Sequence, residues 1–409
     1  MELNNTDLPK FDVCVVGLGY VGLPTAALFA EAGLRVCGVD NNPKRLKCLA
    51  NGETNSGEDH LDAILSNVLK SSNLKLSDRP LPAENYLICV PTPVGKSENF
   101  VSDAVVAATK DIARVAQEGD LLVLESTCPP GTTEYLLELV RELRADLRDS
   151  GAILAAHCPE RVLPGNTIEE LRNNSRIVGG CSPRASERAK ALFARICKGQ
   201  IRITDSRTAE MTKLVENTYR DVNIALANEL SMICDSLDVS NSEVRELANM
   251  HPRVNLHQSG IGVGGHCISV DPWFIVDRAP RLSRLISCAR QVNDDKTQWV
   301  IEKLVDRIRS IGATTVGLWG LSYKPETGDL RNSPALVIAK ELVERMPNVT
   351  FKAFDPYISG NQLKISGAPN FSFSLAEPHA AETDLNVLLV RHQRYEREEN
   401  FFDVDATLF

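Results

Sequence analysis

A glycine-rich turn between two apolar runs restricts the fold of this chain more than any other feature. The first run, Phe11–Val16, is rich in β-branched residues and typical of a buried strand. Residues 17–22 read GLGYVG, a helical pattern continues to Ala32, and a second apolar run covers 34–39. This order of strand, glycine turn, helix and strand predicts the first unit of a dinucleotide-binding domain.

Each glycine of the turn has its own expected role. Gly17 makes the tight turn, Gly19 lets a pyrophosphate approach the backbone, and Gly22 allows the helix to pack closely on the strand. Asp40 ends the second run, where its carboxylate accepts hydrogen bonds from ribose hydroxyls and repels a 2′-phosphate. The pattern therefore favours NAD over NADP, although Arg45 just downstream softens that preference.

Composition excludes several classes of protein. A chain of 409 residues is long enough for two or three domains, and a net charge of −9 argues against general nucleic-acid binding. We see no signal-peptide pattern and no apolar run that would insert into a membrane. The 11 cysteines form no C-x-x-C pair, so we expect no metal site and a reducing, cytoplasmic location.

Polar residues follow three further buried runs. Thr92 comes after the run at 86–90, and Thr127 after the run at 121–124. Glu160 follows the run at 153–156. Ligands bind at the carboxyl ends of parallel strands, so these side chains are candidates for a binding site. The alternative is that the prolines beside them simply mark turns that end the strands.

A long helical pattern runs from Thr208 to Asp238. Lys213, Asn217 and Arg220 recur at i, i+4 and i+7 and therefore share one face of that helix. A stripe of this kind is usually solvated. Because apolar residues occupy the other sides, we expect a central helix whose lysine serves as acid, base or electrostatic stabiliser.

The alternation of strands and helices resumes near the C-terminus. A strand at 315–319 precedes a loop that carries Lys324 and Arg331, which either bind phosphate or are surface charges. Ser333 and Pro334 predict the N-cap and first residue of a helix. The predicted fold is α/β, with two Rossmann-like doubly wound parallel-sheet domains joined by a central all-helical domain with a long helix. The expected domains are residues 1–205, 206–296 and 297–409.

A cysteine follows a glycine run in the middle of the chain. Residues 262–265 read GVGG, Cys267 comes two positions later, and Asp271 follows after four more. Glycines let a backbone approach a ligand closely, and an ionised thiol is a strong nucleophile. The alternative is that Cys267 is a small buried hydrophobe, as most free cysteines are.

Seven ordered motifs together resemble the UDP-glucose/GDP-mannose dehydrogenase family over residues 11–390. They are GLGYVG (17–22), CVPTP (89–93), EST (125–127), CPERVLPG (158–165), the Lys213/Asn217 helix, GGHC (264–267) and the loop at 324–334. Within the family the chain is most similar to the branch that acts on UDP-N-acetyl-D-mannosamine, because of segments 207–211 and 251–255 and His266 before the cysteine. Ile261, Ser322 and Tyr323 depart from that branch.

The resemblance implies two successive oxidations of the sugar C6 alcohol to a carboxylate with NAD as cofactor, through a thiohemiacetal and a thioester on Cys267. The catalytic residues it implies are Thr127, Glu160, Lys213, Asn217, Cys267 and Asp271. The cofactor contacts it implies are Gly17, Gly19, Tyr20, Val21, Gly22, Asp40, Arg45, Thr92, Thr127 and Arg331.

The same resemblance implies a UDP-sugar substrate and a homodimer in which Arg253 reaches the partner's site. The substrate contacts it implies are Glu160, Arg161, Val162, Lys213, Asn217, Arg220, Asn223, His251, Arg253, Gly264, His266, Tyr323 and Lys324. The product of such an enzyme feeds polysaccharide biosynthesis.

Two alternatives remain open at this point. One is the same chemistry on UDP-N-acetylglucosamine or UDP-glucose, since only the sugar pocket differs. The other is a nucleotide-binding regulatory protein that keeps the fold without catalysis. The joint presence of Lys213, Asn217, Cys267 and Asp271 argues against the second.

Overall fold

The computed structural model describes residues 10–54, 59–95, 99–149, 151–162, 165–358, 363, 368–374, 383–395 and 402–403. The chain divides into two compact units. The N-terminal unit comprises Met1–Val215 with Trp273–Arg278, and the C-terminal unit comprises Glu216–Pro272 with Ala279–Phe409. Among the described residues, no helix has an apolar stretch long enough to cross a membrane. All eleven cysteines fall in the described ranges and carry free thiols.

The N-terminal unit is built on an eight-stranded sheet. Its strands are β1 (Phe11–Val16), β2 (Val36–Val39), β3 (Leu74–Ser77), β4 (Ala83–Ile88), β5 (Leu121–Leu124), β6 (Leu154–His157), β7 (Arg176–Gly180) and β8 (Ile201–Asp205). Their order is β3-β2-β1-β4-β5-β6-β7-β8, and every neighbouring pair is parallel except β6 and β7. The first six strands thus follow the order of a dinucleotide-binding sheet.

Helices cover both faces of this sheet. They are α1 (Gly22–Glu31), α2 (Pro43–Ala50), α3 (Asp59–Lys70), α4 (Asp103–Ala113), α5 (Thr132–Leu143), α6 (Thr167–Asn173) and α7 (Pro183–Phe193). Along β1, Val13 and Val15 join the core formed with α1, α3, α6 and α7. Cys14 and Val16 point to the opposite core, formed with α4 and α5. Two buried faces explain why the strands read as continuous apolar runs.

Four helices occupy the middle of the chain. They are α8 (Ser206–Ser236), α9 (Asn241–Asn249), α10 (Asp271–Arg278) and α11 (Arg284–Ile311). The all-helical prediction is wrong for residues 251–270, which contain no helix. Four glycines and Pro252 lie in that segment, and both residue types interrupt helices.

A buried polar seam joins α8 to α11 inside the C-terminal unit. Asp221 accepts hydrogen bonds from Arg290 at 2.6 Å and from Asn293 at 2.8 Å. Further along, the ammonium of Lys296 donates to Ser231 at 2.7 Å. Because these groups are buried and paired, they fix the register of the two helices as well as their contact.

The C-terminal unit carries a second, all-parallel sheet. Its elements are β9 (Thr315–Trp319), α12 (Pro334–Arg345), β10 (Thr350–Phe354), β11 (Phe371–Ser374), β12 (Leu385–Leu388) and β13 (Phe402–Asp403). The strand order is β11-β10-β9-β12-β13, with α11 and α12 packed on one face. Ser333 caps α12 by accepting from the Leu336 N–H, and Pro334 is its first residue, as predicted. The α/β prediction with two Rossmann-like sheets is confirmed.

Candidate active site

The glycine turn after β1 separates residues needed for folding from one that faces open space. Gly17 has φ +95°, and a Cβ there would lie 2.7 Å from the Cys89 carbonyl oxygen. A Cβ on Gly22 would lie 1.8 Å from the Gly17 carbonyl oxygen. A Cβ on Gly19 would meet no atom within 4 Å. Gly19 therefore borders a space that can receive a pyrophosphate at the start of α1.

Asp40 is tied to the same turn. Its carboxylate accepts from the Leu18 N–H at 3.1 Å and from the Asn42 N–H at 2.9 Å, one bond to each oxygen. Each oxygen keeps a lone pair for a ribose hydroxyl. Arg45 donates to the carbonyls of Leu18 and Thr54, so this predicted cofactor residue also supports the turn.

Other predicted cofactor residues surround the carboxyl edge of this sheet. Tyr20 is 38% exposed, and its hydroxyl accepts from Thr167 at 2.7 Å. Val21 is half-buried at the N-cap of α1. Thr92 and Thr127 are half-buried in the loops after β4 and β5. These parallel strands end at the same edge, which is where such sheets bind ligands.

Lys213 and Glu160 form an ion pair within the N-terminal unit. The Lys213 Nζ lies 3.4 Å from the Glu160 Oε1, and their side chains are only 8% and 14% exposed. The other oxygen of Glu160 accepts from the Val162 N–H at 2.9 Å. The structure thus places a buried cation of α8 beside the carboxylate that follows β6. Arg161, which lies between Glu160 and Val162 in sequence, is exposed and donates to the Ser175 carbonyl.

Cys267, Asp271 and Asn217 meet in the C-terminal unit. The Cys267 carbonyl accepts from the N–H groups of Val270 at 3.0 Å and Asp271 at 2.8 Å, which closes the turn that begins α10. Asp271 is 3% exposed, and its Oδ2 accepts from the Asn217 side-chain amide at 2.6 Å. One turn of chain therefore holds a half-buried thiol beside a buried carboxylate whose orientation α8 controls.

The glycine run before Cys267 packs on the protein itself. A Cβ on Gly264 would lie 2.6 Å from the Asn332 carbonyl oxygen and 2.8 Å from the Tyr323 Cβ. Gly265 has φ +85°, lies against the Tyr323 ring and donates its N–H to the Arg331 carbonyl at 3.0 Å. The sequence prediction assigned these glycines to close approach by a ligand. In the structure these glycines also allow the loop that carries Cys267 to pack closely against the loop after β9.

Charged residues of that second loop lie near the thiol. Arg331 pairs with Asp329 at 2.5 Å, and this hydrogen bond raises the pKa of Arg331. Burial, the Asp329 charge and the Cys267 thiolate raise the pKa of Tyr323. The Lys324 Nζ lies 5.7 Å from the centre of the Tyr323 ring. Sequence reasoning missed Asp329, because no local pattern shows that this loop acid pairs with Arg331.

The remaining predicted substrate residues lie outside this cluster of contacts. Arg220 is exposed, and Asn223 donates to the Tyr219 carbonyl one turn earlier. His251 and Arg253 are exposed in the irregular segment after α9. His266 is half-buried and precedes Cys267 in sequence. Burial raises the pKa of Asp329, but the hydrogen bonds from Arg331 and smaller electrostatic contributions, including one from His266, lower it overall.

Comparison with known proteins gives a family for these two units. Three models of the UDP-glucose/GDP-mannose dehydrogenase family match: the NAD binding domain at residues 11–197, the central domain at 207–295 and the UDP binding domain at 317–406. The chain is 42% identical to UDP-N-acetyl-D-mannosamine dehydrogenase of Campylobacter jejuni, over 94% of this chain and 96% of that one.

Two further relatives extend the comparison. NDP-N-acetyl-D-galactosaminuronic acid dehydrogenase of Ralstonia solanacearum is 43% identical, over 94% of this chain and 92% of that one. The solved structure of UDP-D-ManNAc dehydrogenase from Pyrococcus horikoshii has a TM-score of 0.84 at 35% identity, over 95% of this chain and 91% of that one. The chain belongs to the UDP-glucose/GDP-mannose dehydrogenase family, whose members are NAD-dependent nucleotide-sugar dehydrogenases.

Proposed function

We propose that this protein oxidises the C6 alcohol of UDP-N-acetyl-D-mannosamine to the carboxylate. The observation that carries the proposal is the half-buried Cys267 one turn before the buried Asp271, whose carboxylate is held by Asn217. A thiol in that position can trap an aldehyde intermediate. The sugar is inferred from the Campylobacter and Pyrococcus relatives. The Ralstonia relative makes the N-acetylgalactosamine nucleotide the second candidate.

The proposal assigns the cofactor to the N-terminal unit and the nucleotide to the C-terminal unit. The open space at Gly19 and the free lone pairs of Asp40 fit a dinucleotide with an unphosphorylated ribose. NAD, when bound, takes a hydride from C6 in each of the two oxidations. We assign the UDP phosphates to Lys324 and neighbouring N–H groups, and we place Arg331 beside the cofactor.

In the first oxidation the C6 hydroxyl loses its proton as a hydride leaves the carbon C6. Lys213 and Asn217 lie one turn apart on α8, so both can face one ligand oxygen. A buried ammonium and an amide N–H would stabilise the developing alkoxide by donating hydrogen bonds to it. Asp271 accepts the proton through a water, and its contact with Asn217 fixes the direction of its lone pairs.

In the second oxidation Cys267 keeps the aldehyde bound. The sulfur forms a bond to C6, and the thiol proton moves to the aldehyde oxygen, which gives a thiohemiacetal. Loss of the second hydride and of that proton gives a thioester. A water positioned by Glu160 and Thr127, with Asp271 as the alternative base, attacks C6, and the C–S bond breaks to release the carboxylate and the thiol. The balance is one alcohol, one water and two NAD⁺ giving one carboxylate, two NADH and three H⁺.

We further infer a homodimer built on α8. Within the C-terminal unit, Tyr219, Leu226 and Ile233 recur every seven residues on that helix and are 63%, 45% and 45% exposed. A stripe of this spacing is typical of a helix that packs against another helix. Arg253 is exposed on the segment after α9, and we propose that it reaches the partner's substrate. Eleven free thiols support a reducing, cytoplasmic location.

The experiment that tests the function is NADH production by the purified protein. UDP-N-acetylmannosamine is compared with the UDP derivatives of N-acetylgalactosamine, N-acetylglucosamine and glucose. We expect two NADH per UDP-N-acetylmannosamine with the wild type and with Cys288→Ala, an exposed cysteine of the same unit, but not with Cys267→Ala. Preference for another sugar would change the substrate and keep the mechanism. If the folded protein binds NAD but reduces it with none of these sugars, the result would support the alternative of a nucleotide-binding regulatory protein.

A further inference from the structure

Three side chains with different ligand atoms meet inside the N-terminal unit. The Cys128 sulfur, a His157 ring nitrogen and a Glu210 carboxylate oxygen all lie within 4.8 Å of one another. Cys128 belongs to the loop after β5, His157 ends β6, and Glu210 lies in the first turns of α8. Their exposures are 1%, 0% and 0%, so water does not satisfy them.

His157 is the unexplained member of this cluster. Within the described part of the chain, neither of its ring nitrogens has a hydrogen-bond partner of acceptable geometry, although the Leu124 carbonyl interacts with the ring. A neutral imidazole presents the lone pair of one ring nitrogen to a ligand. A fully buried imidazole without a partner is costly, and neutral imidazole is a common metal ligand.

A neighbouring buried cluster shows what a self-satisfied network looks like in the same unit. The Glu125 carboxylate accepts from Arg176 at 3.3 Å and from the Cys89 thiol at 3.2 Å. Arg176 also contacts the Cys158 sulfur at 3.8 Å. Each of those groups has a protein partner, so that network needs no ligand. The His157 cluster differs because, among the described residues, its imidazole makes no hydrogen bond of acceptable geometry.

Glu210 is already oriented as a ligand would be. Its carboxylate accepts from the Gly131 and Thr133 N–H groups at 2.6 and 2.7 Å and from the Thr133 hydroxyl at 2.6 Å. Only one of these bonds goes to Oε2, so that oxygen keeps a lone pair. Outer hydrogen bonds of this kind fix a ligating carboxylate and strengthen metal binding.

We propose that Cys128, His157 and Glu210 bind one Zn²⁺ ion. Zinc prefers a thiolate, an imidazole and a carboxylate at about 2.3, 2.0 and 2.1 Å, which sets these ligand atoms about 3.5 Å apart. The Cys128 thiol donates a 3.7 Å hydrogen bond to the Glu210 Oε1, which also accepts both Thr133 bonds, so Oε2 is the oxygen left for the ion. A thiolate and a carboxylate neutralise the ion, so no net charge is buried. Burial and Glu210 raise the pKa of Cys128, so binding displaces the thiol proton into solvent.

The site departs from the expectation of no metal, which rested on the absence of a C-x-x-C pair. Its ligands come from three distant segments, each of which also carries a proposed catalytic residue. Thr127 is adjacent to Cys128, Glu160 follows His157 by three residues, and Lys213 follows Glu210 by three. The ion would therefore tie together the segments that position Thr127, Glu160 and Lys213, and with three protein ligands it would keep a fourth position for a water or another ligand.

The test measures metal content and does not depend on turnover. The full-length protein is incubated with Zn²⁺, desalted and analysed for metal, and a second sample receives Co²⁺. We expect about one Zn²⁺ per chain and, with cobalt, a thiolate-to-metal charge-transfer band in the near ultraviolet. Cys128→Ser and His157→Phe should each lose the ion, and the zinc-loaded wild type should melt at a higher temperature than the metal-free protein.

The controls separate this site from the other thiols. Cys197→Ser, a buried cysteine of the same unit outside the cluster, should bind zinc like the wild type. If the two ligand variants do not fold, the cobalt band in Cys267→Ala decides, because that variant lacks the proposed reactive thiol. Less than about a tenth of an equivalent in the wild type, zinc retained by the ligand variants, or no thiolate band in Cys267→Ala would each overturn the proposal.

Discussion

Asn217 donates a 2.6 Å hydrogen bond to the carboxylate of Asp271, and this contact links the long helix α8 to the turn that carries Cys267. The two residues are far apart in sequence but close in the C-terminal unit. Asp271 is 3% exposed, and this amide helps to orient its carboxylate. The proposed base and the proposed alkoxide stabiliser are thus a single hydrogen-bonded unit.

Replacing Asn217 by Ala should therefore damage catalysis more than folding. We expect kcat to fall by ~10²–10³-fold, the usual effect of removing one donor that stabilises a developing oxyanion. The free energy of unfolding should fall by only ~1.5–3 kcal/mol, the usual contribution of one hydrogen bond to a charged group. Steady-state kinetics and urea unfolding measure the two. Glu246→Ala, an exposed change on α9, should alter neither, and an active Asn217→Ala enzyme would contradict the assignment.

The glycines of the first turn should separate cofactor binding from stability. Gly19→Ala adds a Cβ that meets no protein atom within 4 Å, so we expect an unchanged melting temperature and a KM for NAD raised roughly tenfold, about 1.4 kcal/mol. Gly22→Ala adds a Cβ that would lie 1.8 Å from a backbone oxygen, which should lower the free energy of unfolding by about 3 kcal/mol. Thermal melts and NAD titrations decide; equal loss of stability in both variants would contradict the open space at Gly19.

Local sequence patterns predicted the elements well. The bounds of β1, β5 and β9 match the predicted runs, and the Ser333 cap of α12 was visible because caps and first-turn prolines act over a few residues. Strand ends were less reliable. The predicted run began at residue 34, whereas β2 begins at Val36. Pairing with neighbouring strands sets such ends, and the sequence alone does not show the partner.

Long-range contacts were beyond the sequence. The motifs named Lys213 and Glu160 as separate candidates, but only folding brings them to 3.4 Å. Nothing local distinguishes Asp329, which pairs with Arg331, from any other loop acid. The sequence analysis did not single out His157, because its lack of a well-formed hydrogen bond among the described residues becomes evident only when β5, β6 and α8 surround it. Pairing and burial are properties of the packed unit.

Asp355 should make stability depend on acid pH in the C-terminal unit. Burial raises its pKa, but hydrogen bonds from His392 and the Leu321 and Tyr357 N–H groups outweigh burial, and the pKa is lowered overall. A lowered pKa means that the folded state favours the carboxylate. The contribution is then complete above about 3.9, the ordinary aspartate value, and is lost as the pH falls below it.

Asp355→Asn should accordingly lower the free energy of unfolding by ~1–3 kcal/mol, and by the same amount from pH 7 to about 4.5. The difference from the wild type should shrink only below about pH 4. Urea unfolding followed by circular dichroism at each pH measures it, with the exposed Asp306→Asn on α11 as the neutral control. A difference that already disappears between pH 7 and 5 would mean that another group dominates this linkage.

Arg253 should act on the partner's site, and mixed dimers can show it. Arg253→Ala and Cys267→Ala should each be inactive alone. In a mixed dimer, the subunit with an intact Cys267 would receive an intact Arg253 from its partner, so co-expression should restore about a quarter of wild-type activity, since half of the dimers are mixed and each has one complete site. Differential tags isolate the mixed species for the NADH assay. If Arg253 served its own subunit, every site would lack one residue and the mixture would stay inactive. Leu226→Glu, which places a charge in the exposed stripe of α8, should produce monomers in sedimentation experiments and abolish the restoration.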